Sequence, residues 1–124
     1  MRKKNQKIRC EKQRLPKFKG LCKTYDKVQT AMAVVLSQQE DIVCIRCNVD
    51  SAVIDGKEYT TDFVCEMADG TLAVRECLYR RYITKPLNLK VLEASRIFWL
   101  KRGVKDWAIV VNEKSALDSG ECAD

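Results

Sequence analysis

Apolar residues recur at helical spacing in the first third of the chain. Between positions 24 and 39 they are Tyr25, Val28, Met32, Val35 and Leu36. Steps of three and four residues place these side chains along one side of an α-helix. Asp26 lies near the start of the segment, where an acid suits the positive end of the helix dipole. The pattern predicts an amphipathic helix.

Three apolar, β-branched stretches follow, and short turn signals separate them. They predict strands at 42–48 (with an extension to 54), at 58–67 and at 71–78. Asp55-Gly56-Lys57 and Ala68-Asp69-Gly70 are typical of tight turns. Strands joined by such short connections form an antiparallel meander.

The apolar period then changes back to that of a helix. Pro86 is a plausible helix start, and residues 89–102 read as a helix with Leu92, Ser95, Phe98 and Trp99 on its buried side. Gly103 ends it, and residues 106–112 form a nearly all-apolar strand. A strand, a crossover helix and a further strand predict a parallel pair. The expected fold is therefore α/β with the order αβββαβ.

Charge divides the chain unevenly. The first 23 residues carry ten Lys or Arg and one acid, whereas the whole chain has a net charge of +6. We predict a basic arm over 1–21, one domain over 22–113 and a tail over 114–124. Such an arm commonly neutralises nucleic-acid phosphates, although a solvated tail without a partner is the alternative. The predicted DNA-binding residues are Arg2, Lys3, Lys4, Lys7, Arg9, Lys12, Arg14, Lys17, Lys19 and Arg81.

Composition indicates a globular protein without a membrane partner. No apolar run reaches the roughly 18 residues that a membrane span needs, and the basic N-terminus lacks the apolar stretch of a signal peptide. A cytoplasmic location is the expectation. The seven cysteines are interpreted mainly as reduced thiols within the core. Cys44 and Cys47 resemble half of a zinc site, but the sequence contains no histidine and no matching second half.

Two acids fall on neighbouring predicted strands. Asp62 lies in the second strand and Glu76 in the third, and the hairpin at Asp69-Gly70 joins these strands. Their carboxylates can converge on one side of the sheet, where they repel each other unless a cation lies between them. A divalent metal with oxygen ligands would supply that cation. Solvated surface carboxylates are the alternative.

The order of landmarks resembles the PD-(D/E)xK nuclease superfamily, and within it the TnsA-like transposase endonucleases. The similarity covers roughly residues 25–113. The matching landmarks are Tyr59-Thr60-Thr61-Asp62-Phe63, Asp69-Gly70, Val74-Arg75-Glu76, Leu92-Glu93-Ala94-Ser95-Arg96, and Gly103 before Trp107. The resemblance implies a restriction-endonuclease-like core with a mixed sheet, in which an antiparallel meander is joined by a parallel crossover strand. It also implies that Asp62, Glu76 and the backbone carbonyl of Cys77 bind Mg²⁺ or Mn²⁺.

Three positions depart from the family pattern. Leu78 replaces the catalytic lysine, and strand parity makes Arg80 a substitute that can stabilise a phosphate but cannot act as a base. Lys90 or Arg96 on the next helix are other sources of a cation. Gln29 stands at the position of the helix glutamate, where it would assist a metal or simply be a solvated residue. Thr61 replaces a proline before Asp62, which affects only the strand entry.

The expected function is metal-dependent hydrolysis of DNA at transposon ends. Asp62, Glu76, Gln29 and Arg80 would form the catalytic set. The resemblance implies DNA, a transposase subunit and an AAA+ regulator as partners, and a homodimer is left open. The first alternative is a DNA-binding or assembly subunit of the same fold that does not cleave DNA. The second is a cysteine-based metal or redox protein.

Overall fold

The computed structural model of the chain describes residues 10–112 and, for the backbone only, Arg2–Lys3. The elements are β1 (Arg2–Lys3), β2 (Glu11–Gln13), β3 (Cys22–Thr24), α1 (Lys27–Ser37), β4 (Ile42–Ile54), β5 (Lys57–Met67), β6 (Leu72–Cys77), a 3-10 turn (Arg80–Tyr82), α2 (Pro86–Leu100) and β7 (Asp106–Val110). From α1 to β7 the predicted order αβββαβ is confirmed. The three short strands that precede α1 were not predicted.

Strand β5 lies in the middle of a mixed sheet. One edge of β5 pairs with β4 in antiparallel orientation along nearly its whole length. The other edge is divided, because β1 lies opposite Tyr59 and Thr60 while β6 lies opposite the stretch from Phe63 to Glu66. Strand β7 then adds to β6 in parallel, from Ala73 opposite Asp106 onward. The antiparallel meander and the parallel crossover strand were both predicted correctly.

Local residue preferences explain where these elements begin and turn. Asp55 and Gly56 both have positive φ, 52° and 77°, as the tight two-residue hairpin between β4 and β5 requires. Helix α1 begins at Lys27, because the extended residue Asp26 caps it through a hydrogen bond from the Gln29 N–H to Oδ1 at 2.9 Å. Helix α2 begins at Pro86, which the sequence indicated as a helix start, since proline is favoured at the first helical position.

The two helices cover opposite faces of the sheet. Buried residues of α1, including Leu36, pack in one cluster with Phe63 and Cys65 of β5. Val64, the residue between those two, packs in a second cluster with Trp99 of α2. Side chains of consecutive strand residues point to opposite faces. The alternation along β5 therefore separates an α1 layer from an α2 layer.

The predicted boundary between arm and domain is wrong for residues 10–21. Strand β2 pairs with β3, and the Ile45 N–H donates to the Lys17 carbonyl at 2.8 Å. The Phe18 ring meets the Phe63 ring edge-on at 6.1 Å. The charge of this stretch suggested an unfolded arm, but Leu15 and Phe18 provide apolar contacts to the α1-side core. The domain thus includes residues from position 10 onward.

The remaining parts of both predicted terminal segments lie outside the described residues. These parts are positions 1 and 4–9, the side chains of Arg2 and Lys3, and the predicted tail over 114–124. Among the helices that the structure describes, none has the length and apolar character needed to cross a membrane.

Candidate functional site: a closed carboxylate pair

The two predicted acids meet where strands β5 and β6 stop pairing. The last backbone pair is Phe63 opposite Arg75, and Asp62 and Glu76 follow immediately. At this point the Asp62 N–H donates to Glu76 Oε1 at 3.0 Å. In return, the Cys77 N–H donates to Asp62 Oδ2 at 2.7 Å. Each carboxylate therefore binds a backbone N–H of the opposite strand, and the predicted convergence of the acids is observed.

One residue from each helix completes the arrangement. Gln29 of α1 donates from Nε2 to Asp62 Oδ1 at 3.0 Å, and its Oε1 accepts the N–H of Tyr25 at 2.9 Å. Ser95 of α2 donates its hydroxyl to Glu76 Oε2. All four carboxylate oxygens thus accept hydrogen bonds from neutral donors. We call Gln29, Asp62, Glu76 and Ser95, together with the N–H of Cys77, the carboxylate centre.

Burial dominates the electrostatics of this centre. Asp62 is 1% exposed and Glu76 is 0% exposed. Removal from water, followed by repulsion from Asp62, raises the pKa of Glu76 to about 7. The hydrogen bonds from Ser95 and from the Asp62 N–H favour the ionised form and lower this pKa in part. Near neutral pH, Glu76 therefore lies close to the midpoint between its protonated and ionised forms.

The observed arrangement does not fit the expected Mg²⁺ or Mn²⁺. Such hard cations bind carboxylate oxygens and usually keep several water ligands. Here the oxygens of Asp62 and Glu76 already accept protein hydrogen bonds, and neither side chain is open to solvent. Cys77 takes part through its N–H, whereas the prediction involved its carbonyl. Among residues 10–112 there is also no group of three or more Cys, Asp or Glu arranged to hold a metal ion.

Arg80 does not reach the centre by the predicted route. Strand β6 ends at Cys77 and a 3-10 turn begins at Arg80, so the alternation of side chains along a strand does not extend to this residue. Its guanidinium donates to the Asn112 carbonyl at 3.0 Å, and its N–H donates to Asn112 Oδ1 at 2.7 Å. The interpretation of Arg80 as the substitute for the lysine is therefore corrected.

The other two predicted cation sources also make contacts elsewhere. Lys90 forms an ion pair with Asp55 at 2.8 Å. Arg96 pairs with Glu93 on its own helix at 2.7 Å. Both pairs are exposed, and surface pairs of this kind contribute little to stability because water screens the charges. These contacts place both side chains on the outer surface of the domain.

A cavity of about 350 Å³ lies beside the carboxylate centre. Its lining residues are Tyr25, Asp26, Cys77, Leu78, Tyr79, Tyr82, Asn88 and Leu92. Cys77 is shared between the cavity and the centre. Leu78, which occupies the position of the family's lysine, forms part of the wall. The wall is consequently aromatic and aliphatic at a position where the resemblance implies a cation.

Basic side chains stack on the tyrosines of this cavity. The Arg81 guanidinium lies 5.2 Å from the centre of the Tyr79 ring and 5.0 Å from that of Tyr82. The Lys85 amine lies 4.9 Å from the Tyr82 ring centre. Both cationic residues are exposed. We call these four residues the basic rim.

The remaining predicted DNA-binding residues are only partly described. Lys12, Arg14 and Lys19 are exposed. Lys17 is half-buried, and its amine donates to the carbonyl of Gln39 just beyond α1. The side chains of Arg2, Lys3, Lys4, Lys7 and Arg9 lie outside the described residues.

Sequence reasoning missed the role of Ser95. The residue was assigned only to the buried side of α2, yet its hydroxyl donates to Glu76 and accepts the Trp107 indole N–H at 3.1 Å. Thr61 was expected to affect only the strand entry, but its hydroxyl accepts the buried indole N–H of Trp99 at 2.8 Å. A buried serine between apolar helix positions was the available signal, since buried hydroxyls need hydrogen-bond partners.

Comparison with known proteins adds no relative. A scan against protein-family models and a search of curated protein sequences both returned no match. The resemblance to TnsA-like endonucleases therefore rests on the sequence landmarks.

Proposed function

We propose that this chain is a DNA-binding subunit of a TnsA-like transposition system, built on a restriction-endonuclease-like core, whose carboxylate pair stabilises the fold and does not cleave DNA. The observation that carries the proposal is a closed carboxylate centre beside an exposed basic rim. The first feature argues against cleavage, and the second provides a surface for phosphates. A transposase subunit and an AAA+ regulator enter as partners through the family resemblance alone.

The basic rim supports the DNA-binding half of the proposal. Stacking on Tyr79 and Tyr82 holds the Arg81 guanidinium in a defined place, which reduces the conformational freedom that it would lose on binding a phosphate. The Lys85 amine places a second cation on the Tyr82 ring. Lys12, Arg14 and Lys19 extend the positive charge of the domain outside the rim. Phosphate neutralisation by such residues supplies most non-specific DNA affinity.

The carboxylate centre supports the other half. Hydrolysis by this nuclease class needs a metal held by open carboxylates and a cation near the scissile phosphate. In this chain, the carboxylates of Asp62 and Glu76 join β5 to β6 at the point where these two strands no longer pair through their backbones. Leu78, which is half-buried in the cavity wall, cannot provide the cation. The centre thus has a structural use that requires no ion.

Salt-dependent DNA binding tests the proposal directly. We expect the full chain to bind a fluorescent duplex in an anisotropy titration, with an affinity that falls as salt rises. Arg81→Ala/Lys85→Ala should weaken binding and lower the slope of log affinity against log salt by about 2, because two phosphate contacts are lost. The matched control is Lys101→Ala/Lys105→Ala, which removes equal charge near the opposite end of the sheet, where β7 begins. Equal losses in both double variants would refute a specific role for the rim.

Metal-dependent cleavage is the second candidate function. The observation that favours it is the convergence of Asp62 and Glu76 at the positions where the resemblance implies metal ligands. Calorimetry with Mn²⁺ and Mg²⁺ separates the candidates, with Asp62→Asn as the matched variant. The proposal expects no binding at millimolar metal and no nicking of supercoiled plasmid by the wild type. Metal binding and nicking that both vanish in Asp62→Asn would establish the endonuclease instead.

A further inference from the structure

Two cysteines from different sheets lie together away from the carboxylate centre. Cys22 begins β3 and is 0% exposed, while Cys47 lies in β4 and packs against the same core cluster. The Cys47 thiol donates to the Leu21 carbonyl at 3.8 Å. Asn48, the residue after Cys47, donates from Nδ2 to the carbonyl of Lys23, the residue after Cys22, at 2.9 Å. These two contacts hold the segments side by side and place the Cys47 thiol next to the start of β3, where Cys22 lies.

The environment makes the two thiols unequal. The hydrogen bond from Cys22, the backbone N–H groups of Lys23 and Cys47, and the Asn48 side chain lower the pKa of Cys47 to about 6, against an opposing effect of burial. The same contact, together with burial, raises the pKa of Cys22. Cys47 is half-buried, so part of the residue is in contact with solvent, whereas Cys22 is 0% exposed. A thiolate is the nucleophilic form of cysteine.

The other buried cysteines of the described chain lack this combination. Burial raises the pKa of Cys65 to about 11 and also raises that of Cys77. Both are almost completely buried, at 1% and 2% exposure. Thiols of this kind are inert towards oxidants in water. Within residues 10–112, the contact between β3 and β4 brings a half-buried cysteine with a lowered pKa next to a second cysteine.

We propose that Cys22 and Cys47 form a redox modification site, which a low-molecular-weight disulfide such as oxidised glutathione converts into an intramolecular disulfide. The Cys47 thiol releases its proton to water, its thiolate attacks one sulfur of the small disulfide, and one small thiolate leaves. Cys22 loses its proton to that leaving thiolate and attacks the Cys47 sulfur of the mixed disulfide. The second small thiolate leaves and takes a proton from water. The protein loses two electrons and two protons, and one small disulfide becomes two small thiols.

The new bond would join two parts of the domain that now touch through side chains and a few hydrogen bonds. Strand β3 belongs to the two-stranded sheet at the N-terminus, and β4 belongs to the main sheet. Residues 25–29 continue from β3 into α1 and reach the carboxylate centre through Gln29. Oxidation would consequently fix the strand that precedes α1 onto the main sheet. This site is independent of the proposed DNA binding.

Peptide mapping of the full wild-type chain tests the site without any substitution. The reduced protein is incubated with oxidised glutathione, free thiols are blocked with an alkylating agent in acid-quenched denaturant, and the digest is examined by mass spectrometry. We expect a cross-linked peptide that joins Cys22 to Cys47, lighter by two hydrogens than its two halves and removed by dithiothreitol. A lasting glutathione adduct on Cys47, a different cysteine pair, or no reaction would each overturn the proposal.

A matched pair of variants sharpens the result. Cys47→Ser should abolish the cross-link and leave Cys22 free to be alkylated after unfolding. Cys44→Ser removes a half-buried thiol three residues earlier in β4 and should leave the cross-link at its wild-type yield. Alkylation of the folded, reduced chain at pH 7 should modify Cys47 before Cys44, because the hydrogen bonds at Cys47 lower its pKa and favour its thiolate. Equal loss of the cross-link in both variants would contradict the assignment.

Discussion

Replacing Glu76 by glutamine should remove a pH-dependent penalty on folding. The folded pKa of Glu76 is about 7, against an ordinary value of 4.5. Between these values the folded chain binds more protons than the unfolded chain, so stability is fully present below 4.5 and is lost as pH rises through 7. At roughly 1.4 kcal/mol per pKa unit, the loss amounts to about 3 kcal/mol.

Glutamine at this position is a close copy of the protonated acid. Its Oε1 can accept the Asp62 N–H, and its amide can donate to the Ser95 hydroxyl, which rotates. We therefore expect Glu76→Gln to match the wild type near pH 4.5 and to become more stable by about 3 kcal/mol above pH 7. The sign is informative, because removal of one partner of a buried ion pair would give a loss of stability and no such gain.

Urea unfolding under reducing conditions, measured from pH 4.5 to 8, gives the difference curve. Glu66→Gln is the matched control, since Glu66 is an exposed acid of the same strand β5. The reasoning is refuted if the difference between Glu76→Gln and wild type stays constant with pH, or if the variant loses stability relative to wild type as pH rises.

Three further predictions concern stability and use the same unfolding assay. Asp26→Ala should cost about 1 kcal/mol, because the cap of α1 is lost; Asp26→Ser should restore most of it, and equal losses in both would contradict the capping role. Trp99→Phe should cost about 1–3 kcal/mol, since the hydroxyl of Thr61 loses its buried donor; a combined Thr61→Val change that recovers nothing would argue against that hydrogen bond. Phe63→Ala should cost about 3–5 kcal/mol through the cavity left in the α1-side core, whereas Leu89→Ala at a half-exposed position should cost far less, and similar values for the two would show that the core is assigned wrongly.

Most of the core topology could be predicted because its signals are local. Asp55-Gly56 fixes a tight hairpin through two positive φ angles, and the apolar periods of α1 and α2 differ from those of the strands. These properties depend on neighbours along the chain. The fold of residues 10–21 could not be predicted in this way, because their high charge indicated an unfolded arm. Leu15 and Phe18 of this stretch pack against residues of α1 and the main sheet, which are distant along the chain.

The pairing of Asp62 with Glu76 was also within reach of the sequence, because a hairpin of known length places the two residues opposite each other. What the carboxylates bind was decided only by the tertiary structure. The donors Gln29 and Ser95 come from helices on opposite faces of the sheet, and no spacing along the chain specifies that they converge. The contact between Cys22 and Cys47 likewise depends on how distant segments pack and is not specified by their spacing along the chain. The sequence determined which residue types stand where strands end, whereas the packing of distant elements determined whether those residues meet solvent, a hydrogen-bond donor or another thiol.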